Sequence, residues 1–184
     1  MGSRNWRFFR FPYLAEGDTP EKRSAVRQHL AQSGYRTAQV TMDFFDSEWV
    51  EPYERCLERG QPDNAQWLRT SYLENALYGL EIAEGLSDAV VGRPIKHVLL
   101  LHFGRIQADV LDELLSKLKE RGVRFVSLQE ALSDPIYNVN TEIVRQRSYT
   151  FLNQLRVKMG LSNPSRVQDL YNLLPEERLS SICK

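Results

Sequence analysis

Cysteine is nearly absent from this chain: Cys56 and Cys183 are the whole complement in 184 residues. Two cysteines so far apart make neither a disulfide framework nor a metal knuckle, and both read as free thiols. Long hydrophobic runs are also missing. The longest uninterrupted one covers residues 98–101, against the roughly 18 residues that a spanning helix needs. Nor is there an excess of either charge, since 24 Lys and Arg balance 24 Asp and Glu. A general nucleic-acid or anionic-membrane binder would carry a surplus of bases, so neither partner is expected. Arg4 and Arg7 are followed by Arg10 and Pro12 instead of an apolar core, so no secretory signal is expected, and the compartment stays open.

What is present is ordinary for a globular chain, with 42% hydrophobic and 26% charged residues, which argues against bulk disorder. Residues 6–11 (WRFFRF) read as a short strand ended by Pro12. The bases and aromatics interleaved over residues 4–10 are assigned to that strand and not to a single-strand nucleic-acid surface. Thr19-Pro20-Glu21 supplies an N-cap, a first-turn proline and a first-turn acid for a helix that ends at Gly34. Residues 35–43 read as a second strand, followed by a loop and short helix to Gly60. Leu68, Tyr72, Leu73, Ala76, Leu77, Leu80 and Ala83 form an apolar stripe at the helical period. Tyr72, Tyr78 and Trp67 on this helix read as packing residues.

Residues 97–102 (HVLLLH) have the pattern of a strand buried on both faces. Ile106, Val110, Leu111, Leu114, Leu115 and Leu118 mark another helix, closed by Gly122. Residues 123–126 suit a fourth strand, and Ser127-x-x-Glu130 is a capping box. Such alternation predicts an α/β fold with parallel strands and right-handed crossovers. After Asn138 the chain reads as helical turns broken at Gly160 and Pro164.

In a parallel α/β fold, function gathers at the carboxyl ends of the strands. Those ends read Arg10-Phe11-Pro12-Tyr13, Asp43-x-x-Asp46 and Leu100-Leu101-His102. Singly, each residue has a structural role open to it: Asp46 can cap a helix, Arg10 can pair with any acid, and His102 can be a hydrogen-bonded surface residue. Together and in order they point to a site.

The segments FRFPYLAEGDTPEKR, VTMDFFDSEW, IKHVLLLHFG and GVRFVSLQEALSDPIY resemble the carboxyl-terminal half of bacterial polysaccharide deacetylases. These are carbohydrate esterases sharing the homology domain of the nodulation chitooligosaccharide deacetylase. The likeness runs from about Trp6 to Tyr137 and takes in the third, fourth and fifth of the family's five motifs. It implies that Arg10 tunes a catalytic aspartate, Asp46 orients the catalytic histidine, and His102 is the general acid. It further implies that Tyr13 offers a backbone N–H to the oxyanion and that Leu100 lines the acetyl pocket. Those residue types suit the chemistry. Amide hydrolysis needs a stabilised oxyanion and a proton for the departing amine, which an imidazole with a pKa near 6.5 can give.

Two departures qualify the likeness. The tryptophan expected after Asp46 is Ser47, and the nearest aromatic able to wall the substrate groove is Trp49. The family's catalytic base and metal ligands belong to its first two motifs, and the residues before Arg10 include no Asp, Glu or His. His97 and His102 lie five positions apart on one predicted strand, roughly 16 Å and on opposite faces, with His29 on a helix. No metal site is therefore expected in this chain, although the family uses a divalent metal, commonly zinc.

The sequence thus predicts a partial (β/α) barrel of about four parallel strands over residues 1–137 and a helical extension over 138–184. Its open sheet edges would favour self-association. The implied activity is metal-dependent hydrolysis of N-acetyl groups on amino-sugar polymers. The alternative is a non-catalytic remnant, or a saccharide-binding half-domain completed by a partner chain.

Overall fold

The computed structural model describes residues 7–144 and 149–184; Arg4 and Trp6 of the first predicted strand lie outside that range. Helix α1 (Pro20–Gln32) starts where the sequence places it, with the Thr19 hydroxyl accepting from the Lys22 N–H at 3.2 Å. A 3-10 turn over Asp46–Trp49 runs into α2 (Val50–Glu58), and α3 (Pro62–Val91) follows. At 30 residues, α3 is about 45 Å long and is the spine of the molecule. Helix α4 (Arg105–Glu120) follows, then α5 (Leu128–Ala131), whose Ser127 cap accepts from the Glu130 N–H. Three further helices complete the order: α6 (Phe151–Lys158), α7 (Ser165–Tyr171) and α8 (Glu176–Ser181).

The predicted four-stranded partial barrel is not formed. The regular sheet consists of two parallel strands, β1 (Phe8–Phe9) and β2 (Arg36–Thr37), in register Phe8↔Arg36 and Phe9↔Thr37. Beyond it, an isolated parallel bridge joins Met42 to Leu99, and residues 123–126 are in no strand. Competing hydrogen bonds are the physical reason. The Thr41 hydroxyl takes the Val98 N–H at 2.7 Å, while Thr41 N–H and Met42 N–H both donate to the Val98 carbonyl. Farther along, Asp46 takes the His102 N–H, and the Phe151 N–H takes the Val40 carbonyl. Apart from the Met42 bond, which belongs to the isolated bridge, each satisfies a backbone group outside a ladder, a known competitor of regular structure.

Apolar burial is therefore arranged by helices. Trp49, Tyr72, Leu68, Ile106 and Leu114 centre one cluster between α2, α3 and α4. Leu86, Leu132, Phe151 and Leu152 centre a second. Helix α3 feeds both, and α6 and α7 pack against it. Gly79 is required where α3 meets Phe44, because a Cβ there would lie 2.8 Å from the phenylalanine Cβ.

Two tethers were not anticipated. Cys56 and Cys183 are not free thiols but a disulfide with Cα atoms 5.1 Å apart, tying α2 to the chain just beyond α8. Arg55 reinforces it by donating to the Ile182 carbonyl, and Arg178 lies 3.6 Å above the Trp67 ring. The second tether is the carboxylate of Glu16. It is buried and held by Arg23 at 2.9 Å, Arg27 at 2.6 Å and the Gln39 amide at 2.9 Å. Arg23 continues the network to the Thr141 hydroxyl, which donates to Gln154.

Both tethers yield measurable consequences. Glu16→Ala would strand the Arg23 guanidinium in the interior, and a loss of about 3–5 kcal/mol is expected in urea denaturation. Cys183→Ser opens a loop spanning 127 residues, so a loss of about 2–5 kcal/mol is expected on the loop-entropy estimate. The same shift should follow when the native chain is unfolded with a reductant present.

Candidate active site

The site forms where the segments that the sequence reads as strands two and three end side by side. Phe44 is buried against Tyr72 in an edge-to-face contact at 5.1 Å. Phe45 then turns the chain with a left-handed backbone, φ 58° and ψ 38°, while its N–H donates to the Asp43 carboxylate at 2.8 Å. The turn carries Asp46 inward, to 0% exposure.

A buried carboxylate is tolerated when donors surround it, and Asp46 has three. His102 donates its backbone N–H to Oδ2 at 2.8 Å and places Nδ1 2.6 Å from Oδ1. The Gln107 amide donates to Oδ2 at 2.9 Å and also to the Asp46 carbonyl at 3.2 Å. An ionised carboxylate has no proton to give, so Nδ1 carries the hydrogen and Nε2 is the nitrogen left for a ligand. The His102 side chain is 43% exposed. One nitrogen is thus fixed by a buried acid, and the opposite end of the ring reaches solvent.

Asp43 joins this cluster. Burial first, then the negative charge of Asp46, pushes its carboxyl above the ordinary aspartate range. The Phe45 N–H, His102 and Arg10 pull it back. Arg10 is exposed and makes no ion pair among the described residues, so its charge reaches the cluster through Asp43. Burial and the Asp46 charge also push the Tyr72 hydroxyl upward, keeping it neutral beneath the site.

The other sequence candidates separate. Tyr13 is 87% exposed with φ 54°, and its N–H makes no hydrogen bond among the described residues. Leu100 is buried and donates its N–H to the Met42 carbonyl. Trp49 does not wall a groove: it is 0% exposed and packs edge-on against Tyr72 at 6.0 Å. Its indole fills the core because the turn at Asp46–Trp49 points that face inward. The exposed rings are instead Phe103, at 104%, and Phe45, the neighbours in sequence of His102 and Asp46. Bulky residues rarely adopt positive φ, yet Phe45 does so at this site, and Tyr13 and Leu14 do so in the turn after Arg10. Such strain gathers at functional positions.

The sequence reading also passed over Gln107 and Gly104. Gly104 lies between His102 and α4, where a Cβ would meet Gln107 Oε1 at 2.5 Å and Val50 at 2.8 Å. The pairing of Asp46 with aromatic Phe45, and of His102 with Phe103 and then glycine, was the available signal.

No three His, Cys, Asp or Glu side chains come together as a metal-binding group among the described residues. Asp46 already accepts from three donors. The residues present do not fit the zinc site that the resemblance implies, and no step is assigned to a metal. No helix among the described residues is long and apolar enough to cross a membrane. No family model, curated protein or solved structure matches this chain.

The displaced Asp43 ionisation has a definite sign. A carboxyl whose folded pKa is raised binds its proton more tightly in the folded state, so stability falls as pH climbs from 3.8 through the raised value. Above that value the penalty is constant. Asp43→Asn should therefore raise stability at pH 7, with the gain shrinking towards zero below pH 3.8. Denaturation midpoints compared at the two pH values measure it.

Proposed function

We propose that this chain is a homologue of polysaccharide deacetylases that binds N-acetylated amino-sugar polymers and supplies the proton donor of N-acetyl hydrolysis. The observation that carries the reading is the 2.6 Å contact between Asp46 Oδ1 and His102 Nδ1 beside an exposed ring edge. In that reaction, water adds to the acetyl carbonyl to give a tetrahedral oxyanion. His102, as imidazolium, passes its Nε2 proton to the amide nitrogen as the C–N bond breaks, releasing acetate and an amine. Asp46 holds the ring in one orientation through its contact with Nδ1. The unpartnered Tyr13 N–H is the candidate oxyanion donor. Activation of the attacking water falls to groups that the described residues do not supply, so the chain by itself is expected to bind and not to turn over.

The exposed rings of Tyr13, Phe45 and Phe103 favour a second reading, a saccharide-binding module without catalysis. Exposed aromatic faces suit the apolar faces of sugar rings, and binding of that kind needs no base.

The test uses tetra-N-acetylchitotetraose with the full chain. The sugar is expected to shift the His102 ring signals in nitrogen-15 NMR, and Asp46→Asn should disturb those signals in the free protein. Acetate release that requires added zinc and disappears in His102→Ala would overturn the expectation that the chain by itself does not turn over. Binding that shifts the His102 ring signals would decide for the proton-donor reading, and binding that moves the signals of Phe45 and Phe103 while leaving the His102 ring unmoved would decide for the module. Absence of any shift on addition of the sugar would sink both.

A further inference from the structure

A second opening lies apart from His102. It is a cleft of about 840 Å3 whose lining includes Val40, Met42, Val98, Leu99, Leu118 and Val123. Its size falls within the range of ordinary ligand sites, and two of the segments that line it carry peptide groups without hydrogen-bond partners among the described residues. The segment through Leu99 is bonded along one edge, where Val98 O, Leu100 N–H and His102 N–H face residues 41–46. The N–H of Leu99, which lines the cleft, donates to nothing among the described residues. Across the cleft, the peptide groups of Arg124, Phe125 and Val126 also have no hydrogen-bond partner among the described residues. Val123, Phe125 and Val126 are strand-forming types, and Phe125 stands half exposed.

The charges around the opening are one-sided. Arg10, Lys96, Arg121 and Arg124 line it, against Glu84. Lys96 and Arg121 pair with Glu130 and Glu81, while Arg10 and Arg124 make no ion pair among the described residues.

We infer that this cleft receives an extended segment of a partner protein, in which apolar side chains alternate with Asp or Glu. Unpaired peptide groups on two facing walls call for an occupant that offers donors and acceptors at strand spacing, which a polypeptide backbone does. Alternation sends every second side chain onto the apolar floor, and the acids meet Arg10 and Arg124. A second copy of this chain fits poorly. Its own strand-forming edges, Arg7-Phe8-Phe9-Arg10 and Val123-Arg124-Phe125-Val126, carry arginines, which would face the arginines of the cleft. The inference is independent of the reading of His102, and its test involves no residue of that site.

The probe is a displayed library of random peptides of about ten residues, selected on the immobilised full chain. Enriched sequences are expected to alternate apolar and polar positions and to favour Asp and Glu. A synthetic peptide of that kind should slow amide exchange at Leu99, Arg124, Phe125 and Val126. Arg124→Glu should weaken its binding about tenfold. Phe125→Pro, which removes one main-chain donor from an exposed position, should weaken it as well. Four results would overturn the inference: no enrichment, protection of other amides instead, or protection of these amides already in the peptide-free monomer, where the two walls would be pairing with each other. The fourth is their protection on dimerisation of the chain alone, which would name a second copy as the occupant.

Discussion

The structure around the site depends on the burial of one carboxylate. Asp46 is fully enclosed, so its charge must be met by donors or the fold would lose several kcal/mol. Two donors come from His102 and one from Gln107. Satisfying that charge draws three separate stretches together: the turn after Phe44, the end of the 98–102 segment and the first turns of α4. Gly104 and Gly79 are needed because this convergence leaves no room for a Cβ at either position. The left-handed Phe45 is the local cost of turning the carboxylate inward.

Helix α3 gives this arrangement its rigidity. Tyr72, from its middle, touches both Phe44 and Trp49, so the aspartate loop rests on an aromatic floor that is itself fully buried. The hydrogen-bonded pair at the surface is thus mounted on the best-packed part of the molecule. That is the condition under which a histidine keeps one orientation.

The carboxyl-terminal part is integrated, not appended. Phe151 and Leu152 lie in the second apolar cluster beside Leu86 and Leu132, the Phe151 N–H takes the Val40 carbonyl, and the Cys56–Cys183 bond closes the far end onto α2. Disulfides persist in oxidising surroundings, so redox state is a condition of any measurement on this protein. The same closure shapes a second, more polar opening of about 750 Å3 beside Phe45, Ser47 and Glu48.

What the sequence by itself determined is what short-range physics controls. The helices are legible because apolar spacing at 3.6 residues and caps such as Thr19 and Ser127 act within a few positions. The ordering of Arg10, Asp46 and His102 at segment ends is legible for the same reason. The tertiary structure decided whether apolar segments would pair as strands, and most did not. Thr41, Asp46 and Phe151 hold those backbone groups instead, from positions at least 56 residues away in sequence. It also decided that Trp49 packs inward, that Glu16 anchors two arginines, and that two distant cysteines meet. Each of these depends on which groups become neighbours after collapse, and a local pattern does not encode neighbours.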